Sequence, residues 1–79
     1  MQDMLELYVP ELVSTSDMER IEDAVDEVRG VDSASADLRT QMVWVRYDND
    51  ITSARSIAHA IEGLGYTVSQ RPSERRPGG

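Results

Sequence analysis

Leu5, Leu7 and Val9 alternate with Glu6 and Tyr8, the period-two pattern of a strand with one buried face. Pro10 ends it, because proline has no N–H to give to a sheet ladder. This predicts a first strand over residues 4–9. Met18, Ile21, Ala24, Val25 and Val28 then fall on one stripe at helical spacing, with Gly30 placed to stop the helix in a left-handed conformation. The helix is predicted over residues 15–29. Ser14 is its expected N-cap: Ser14 and Asp17 approximate a capping box, and Val13 and Met18 stand where a hydrophobic staple would pair. Ser16 with Glu19 forms a competing box without a staple.

Val31, Ala34, Ala36 and Leu38 alternate with polar residues, and Val43, Val45 and Tyr47 alternate again after Arg39 and Thr40. These are the arms of a β-hairpin, with strands over residues 33–38 and 41–47. Met42, Trp44 and Arg46 are expected on the face away from the helices. Thr52 is the expected N-cap of a second helix whose stripe is Ile57, Ala60, Ile61 and Leu64, with Gly65 as its stop. Residues 66–70 read as a short last strand.

Ile21, Ala24, Val25 and Val28 recur 36 positions later as Ile57, Ala60, Ile61 and Leu64. Two βαβ halves therefore follow one another. The order βαββαβ, with both helices on one sheet face, is a ferredoxin-like two-layer α+β sandwich around a four-stranded antiparallel sheet. The expected core is Leu7, Val9, Ile21, Val25, Val28, Leu38, Val43, Val45, Ile57, Ile61, Leu64 and Val68. A chain of 79 residues is one small domain. Folding at this size buries roughly 60% of the surface that the unfolded chain exposes. Residues 1–70 form that domain, and residues 71–79, rich in Arg, Pro and Gly, read as a disordered basic tail.

Charge and composition remove several classes of function. The net charge is −7, but the tail holds three Arg against one Glu, leaving −9 for residues 1–70, a body that repels nucleic acid. There is no Cys, so thiol redox chemistry and thiolate metal sites are absent. No apolar run approaches the roughly 20 residues of a membrane span, and the start lacks a signal-peptide pattern, which sets a cytoplasmic expectation without membrane insertion. No phosphate-cradling glycine loop or nucleophile and base pair stands at a recognisable spacing, so no catalysis is expected. His59, the only histidine, lies off the apolar stripe and reads as a surface residue. Trp44 and Arg46 form an aromatic and arginine pair suited to an interface, or an ordinary cross-strand pair. Glu19, Asp23 and Asp26 lie on an acidic helix face that is either solvated or a docking surface for a basic partner.

The stretch VPELVSTSDMERIEDAV, from Val9 to Val25, resembles the signature of the heavy-metal-associated domain family of copper chaperones and metal-pump modules. In that family a strand ending in Val leads through Gly-Met-x-Cys-x-x-Cys into a helix. The match holds at Val9, Arg20, Ile21, Glu22, Ala24 and Val25. It continues at Gly30 and Val31, at Val43, Val45, Tyr47 and Asp48, and at Ala60, Ile61, Glu62, Leu64, Gly65, Tyr66 and Val68.

At the metal loop the residues depart from the pattern. Glu11 and Leu12 replace Gly and Met, Ser14 and Asp17 occupy the two thiolate positions, and Tyr66 maps to the family's loop residue near the metal. The family's cargo is Cu(I) or Zn(II), which its thiolates hold. A hydroxyl and a carboxylate are hard donors with little affinity for Cu(I), and two of them fall short of the roughly six to eight oxygens that Ca²⁺ takes. Glu11, Asp17 and Glu19 are the acidic residues that a divalent ion would meet there. The resemblance alone implies metal handling; the missing cysteines, Trp44 and the acidic helix instead point to a degenerate interaction module with weak or no metal binding and no cofactor, meeting a protein partner or a second copy. The alternatives are an accessory metal-binding or metal-transport protein using oxygen donors, and a small-molecule-sensing regulatory domain such as the ferredoxin-like ACT domains.

Overall fold

A computed structural model describes residues 1–70 of the chain. The elements run β1 (Gln2–Tyr8), α1 (Thr15–Asp26), β2 (Val31–Asp37), β3 (Met42–Asp48), α2 (Ala54–Glu62) and β4 (Ser69–Gln70). The four strands form one antiparallel sheet in the order β2-β3-β1-β4, the ferredoxin-like arrangement.

Register fixes which side chains meet. Leu5 lies opposite Val45 and Leu7 opposite Val43, so both central strands aim their apolar residues at the same face. Ile21 and Val25 of α1 and Ile57 and Ile61 of α2 close over that face, and all eight are buried together with Val9, Leu12 and Tyr47. The opposite face carries Met4, Glu6 and Tyr8 across from Arg46, Trp44 and Met42. Trp44 and Arg46 therefore stand away from the helices, as expected. Met42 also lies on this face yet is only 9% exposed, in register between Tyr8 and Asp37. Among the described residues no helix is long and apolar enough to cross a membrane.

The differences from expectation have local causes. α1 stops at Asp26, and the chain closes with Val28 N–H on Val25 O and Val31 N–H on Val28 O before Gly30 turns at a φ of 98°. A Cβ on Gly30 would sit 2.8 Å from Ile51 Cγ2, so glycine is required there by both conformation and space. α2 is capped by Ser53 rather than Thr52, because Thr52 N–H is still held by Asp48 O in the preceding turn. Its last residue is Glu62, so Leu64 falls past the helical stripe and is 40% exposed instead of buried. Val28, Leu38 and Val68 are partly buried against the core. The last strand is shorter than expected because Thr67 gives its N–H to the Glu11 side chain rather than to a neighbouring strand. The expected basic tail lies outside the described residues.

Candidate functional site

The site begins where β1 ends. After Pro10 a tight turn, with Leu12 N–H on Val9 O, drops Leu12 fully into the core and leaves Val13 70% exposed. Leu12, not Val13, is thus the apolar anchor of this loop. The chain then enters α1 through Ser14, whose extended backbone suits an N-cap. Asp17 N–H donates to Ser14 Oγ at 3.1 Å, while Ser14 N–H returns a bond to Asp17 Oδ2 at 3.2 Å, a complete capping box.

Asp17 does more than cap. Its Oδ2 also accepts from Val13 N–H at 3.2 Å and from the Ser14 hydroxyl at 3.0 Å. Its Oδ1 accepts the Tyr66 hydroxyl at 2.6 Å, a short, charge-assisted bond. Four donors thus approach this carboxylate, three at Oδ2 and one at Oδ1. The Tyr66 hydroxyl and then the Val13 N–H hold the Asp17 carboxyl below its ordinary range, and the same bond to Asp17 pushes the Tyr66 phenol up. Asp17 is thereby held ionised and Tyr66 protonated. Arg20 reaches the same hydroxyl at 3.4 Å.

A second clasp lies beside the first. Glu11 accepts Thr67 N–H at 2.8 Å with one oxygen and the Thr67 hydroxyl at 2.7 Å with the other, and these bonds lower its carboxyl. From the other side Gln41, at a φ of 61°, donates its side-chain amide to Pro10 O at 2.9 Å and takes Val9 N–H on its own carbonyl. The loop is held by β3's entry turn on one side and by the segment before β4 on the other.

Of the residues singled out in sequence, Ser14, Asp17 and Tyr66 are brought into direct contact. Glu11 is turned to Thr67. Glu19, Asp23 and Asp26 are exposed on α1, and His59 is exposed in the last turn of α2. Trp44 and Arg46 stand on the opposite sheet face, where Trp44 is half-buried between Glu6 and Ser35 and Arg46 is exposed. Thr67 and Gln41 were not foreseen. Neither carries a pattern of its own, and both act through contacts distant in sequence.

The chain matches the heavy-metal-associated domain over residues 10–67. The chain belongs to this family. It is 33% identical over 60 residues to "Copper-transporting ATPase HMA5" of Oryza sativa subsp. japonica and 31% identical over 72 residues to "Copper-transporting ATPase 1" of Mus musculus. These matches cover 76% and 91% of the chain but only 6% and 5% of the relatives' lengths. Among solved structures, oxidized MerP from Ralstonia metallidurans CH34 superposes with a TM-score of 0.87 at 22% identity, covering 91% of this chain and all of that one. A CopZ metallochaperone superposes at 0.78 with 29% identity, covering 87% of this chain and 100% of its own. The heavy-metal-associated fold is thus retained, and with it membership of a metal chaperone and transporter family.

The donor set of this member does not fit the family's cargo. The chain has no sulfur donor at Ser14 or Asp17, and among the described residues no group of three or more His, Asp or Glu side chains is placed to hold an ion. An ion at Asp17 would compete with the bonds that Tyr66, Ser14 and Val13 make to its carboxylate.

Proposed function

We propose that this chain is a heavy-metal-associated domain in which the metal loop has become a structural clasp, and that it works as a protein-interaction module with weak or no metal binding. The observation that carries the reading is the Asp17 carboxylate, bonded by Tyr66 through one oxygen and by the α1 N-terminus through the other. A ligand position filled in this way serves the fold. The relatives named as copper-transporting ATPases and as a metallochaperone supply the context: a domain of this shape among metal-handling proteins, contacting a protein partner or a second copy. Trp44 and Arg46 on the open sheet face, and Glu19, Asp23 and Asp26 on α1, are the surfaces offered for contact. The body's −9 charge disfavours nucleic acid, a cytoplasmic setting belongs to the same reading, and no catalytic step is assigned.

Replacing Ser14→Cys together with Asp17→Cys tests this reading. The strand exit and helix start set where these two side chains point, whereas affinity for soft ions comes from sulfur. The double variant is expected to gain tight Cu(I) or Zn(II) binding on an unchanged fold, with the unmodified protein showing none. A variant that folds and still fails to bind would show that Pro10, Glu11 and Leu12 have reshaped the loop beyond the family's geometry.

A further inference from the structure

β2 is an outer strand of the sheet, with β3 on one side and, among the described residues, no strand on the other. Alternation decides which of its backbone groups face outward. Ala36 N–H leaves the sheet and donates to Glu22 Oε2 at 2.9 Å, and in an antiparallel strand the N–H and C=O of one residue point to the same side. Ala36 and Ala34 therefore turn their backbone groups away from β3, while Ser33, Ser35 and Asp37 turn theirs to Arg46, Trp44 and Met42. Among the described residues no side chain takes the Ala34 N–H. Toward the start of β2 the register shifts between Val31 and Ser33, so the regular edge ends at a bulge.

The short edge that is left matches itself. A second β2 run antiparallel about Ser35 sets Ala34 opposite Ala36, Ser35 opposite Ser35 and Ser33 opposite Asp37. Ala34 and Ala36 then make two hydrogen-bonded pairs, each exchanging two bonds, with Ser35 facing its own copy in the narrow pair between them. Both strands keep their alanines on the helix side, against the core, and their exposed serines on the open side, so the two layers continue across the junction. From Ser33 to Asp37 no bulky side chain and no like-charged pair stands in the way. Moving the two-fold axis to Ala34 or to Ala36 still requires the Ala36 N–H. Every such register depends on the one donor that Glu22 holds.

We propose that β2 is a self-pairing edge, complementary to a second copy of this chain, and that Glu22 is the residue that keeps it shut. This edge is distinct from the Trp44 face and from the other contacts assigned above. The bond from Ala36 to a carboxylate is charge-assisted, and an incoming strand must displace it before its own ladder can close. α1 adds a second barrier. Glu19 and Asp26 are exposed and lie one turn before and one turn after Glu22 on the same side of the helix, which packs against β2. Two copies joined at β2 bring these acidic rows toward each other, a repulsion that salt screens. Charge beside the strand, a side chain on its donor and a bulge at its start are three devices by which an edge strand avoids pairing.

Sedimentation and amide hydrogen exchange on the full chain, over a concentration series, test this. In the unmodified protein the Ala36 amide is expected to exchange roughly tenfold or more slowly than the Ala34 amide, although both face the same edge, and neither rate should change with concentration. Glu22→Ala should slow Ala34 exchange as concentration rises and raise the apparent mass toward twice that of the unmodified protein, more so in moderate salt. Glu22→Gln keeps an oxygen for Ala36 and should preserve the contrast between the two amides. Ala34→Pro in the Glu22→Ala background removes an outward N–H without touching a bond to β3, and should abolish the gain in mass. Ala34 exchange in Glu22→Ala that is indifferent to concentration overturns the proposal. Equal exchange at Ala34 and Ala36 in the unmodified protein overturns it without recourse to any variant, as does Ala34 protection there that rises with concentration, since Glu22 would then not be holding the edge.

Discussion

The two helix entrances start from the same device and diverge. Ser14 at the head of α1 and Ser53 at the head of α2 share a φ of −140° and a ψ of 162°, and each takes on its hydroxyl the N–H of the residue three positions on. At α2 the box is left open: the third residue is Ser56, whose hydroxyl meets Ser53 Oγ at 3.2 Å. At α1 the third residue is Asp17, which returns the bond and also reaches across the molecule to Tyr66. Two residues before each cap stands an apolar side chain, Leu12 fully buried and Ile51 55% exposed. The comparison separates what any helix start needs from what the first loop adds. Those additions fall on Leu12, Asp17 and Tyr66.

The sharpest way to break the comparison is at the apolar anchors. Leu12→Ala is expected to destabilise the protein by about 2–5 kcal/mol, since it removes a fully buried side chain, and Ile51→Ala by well under half as much. Denaturant midpoints at constant m-value would measure both. Equal losses would mean that the first loop is no better anchored than the second.

The caps come next. Ser14→Ala and Ser53→Ala should each cost roughly 1 kcal/mol, with Ser14 the larger because its hydroxyl also donates to Asp17. Ser16→Ala should change little, as Ser16 is exposed and caps nothing. The reverse ranking in thermal melts would remove the distinction between the two entrances.

The smallest effect is the pH dependence of the clasp. Asp17 and Glu11 have carboxyls lowered by their hydrogen bonds, so the stability they add is present above the unfolded values near about 4 and is lost as pH falls through the lower folded values. Asp17→Asn should therefore be less stable than the unmodified protein at neutral pH, with the gap narrowing as the pH falls below about 4. A constant gap across that range would show that the carboxylate's charge plays no part in the clasp.

Much of this fold is written in local pattern. The alternation of Leu5 and Leu7, the stripes of Ile21 and Val25 and of Ile57 and Ile61, and the cap at Ser14 each involve residues close in sequence, and each stands where periodicity put it. Leu64 misled because the stripe it extends outruns the helix, which ends at Glu62. The clasp was legible only in part. Family resemblance pointed to Ser14, Asp17 and Tyr66 as neighbours, but the bond that joins Asp17 to Tyr66 spans 49 positions and that between Glu11 and Thr67 spans 56. No periodicity reports such contacts. Asp17 was also open to two descriptions, cap or ligand, and the crowding of donors on its oxygens favours the first.

The central claim is that Asp17 and Ser14 serve the fold and not an ion. The most direct test is to titrate the unmodified protein with Cu(I), and separately with Zn(II), while following backbone amide shifts by heteronuclear NMR. The account predicts no saturable change at Val13, Ser14, Asp17 or Tyr66. Saturable tight binding with shifts centred on Ser14 and Asp17 would contradict it and return this loop to the role its relatives' names describe.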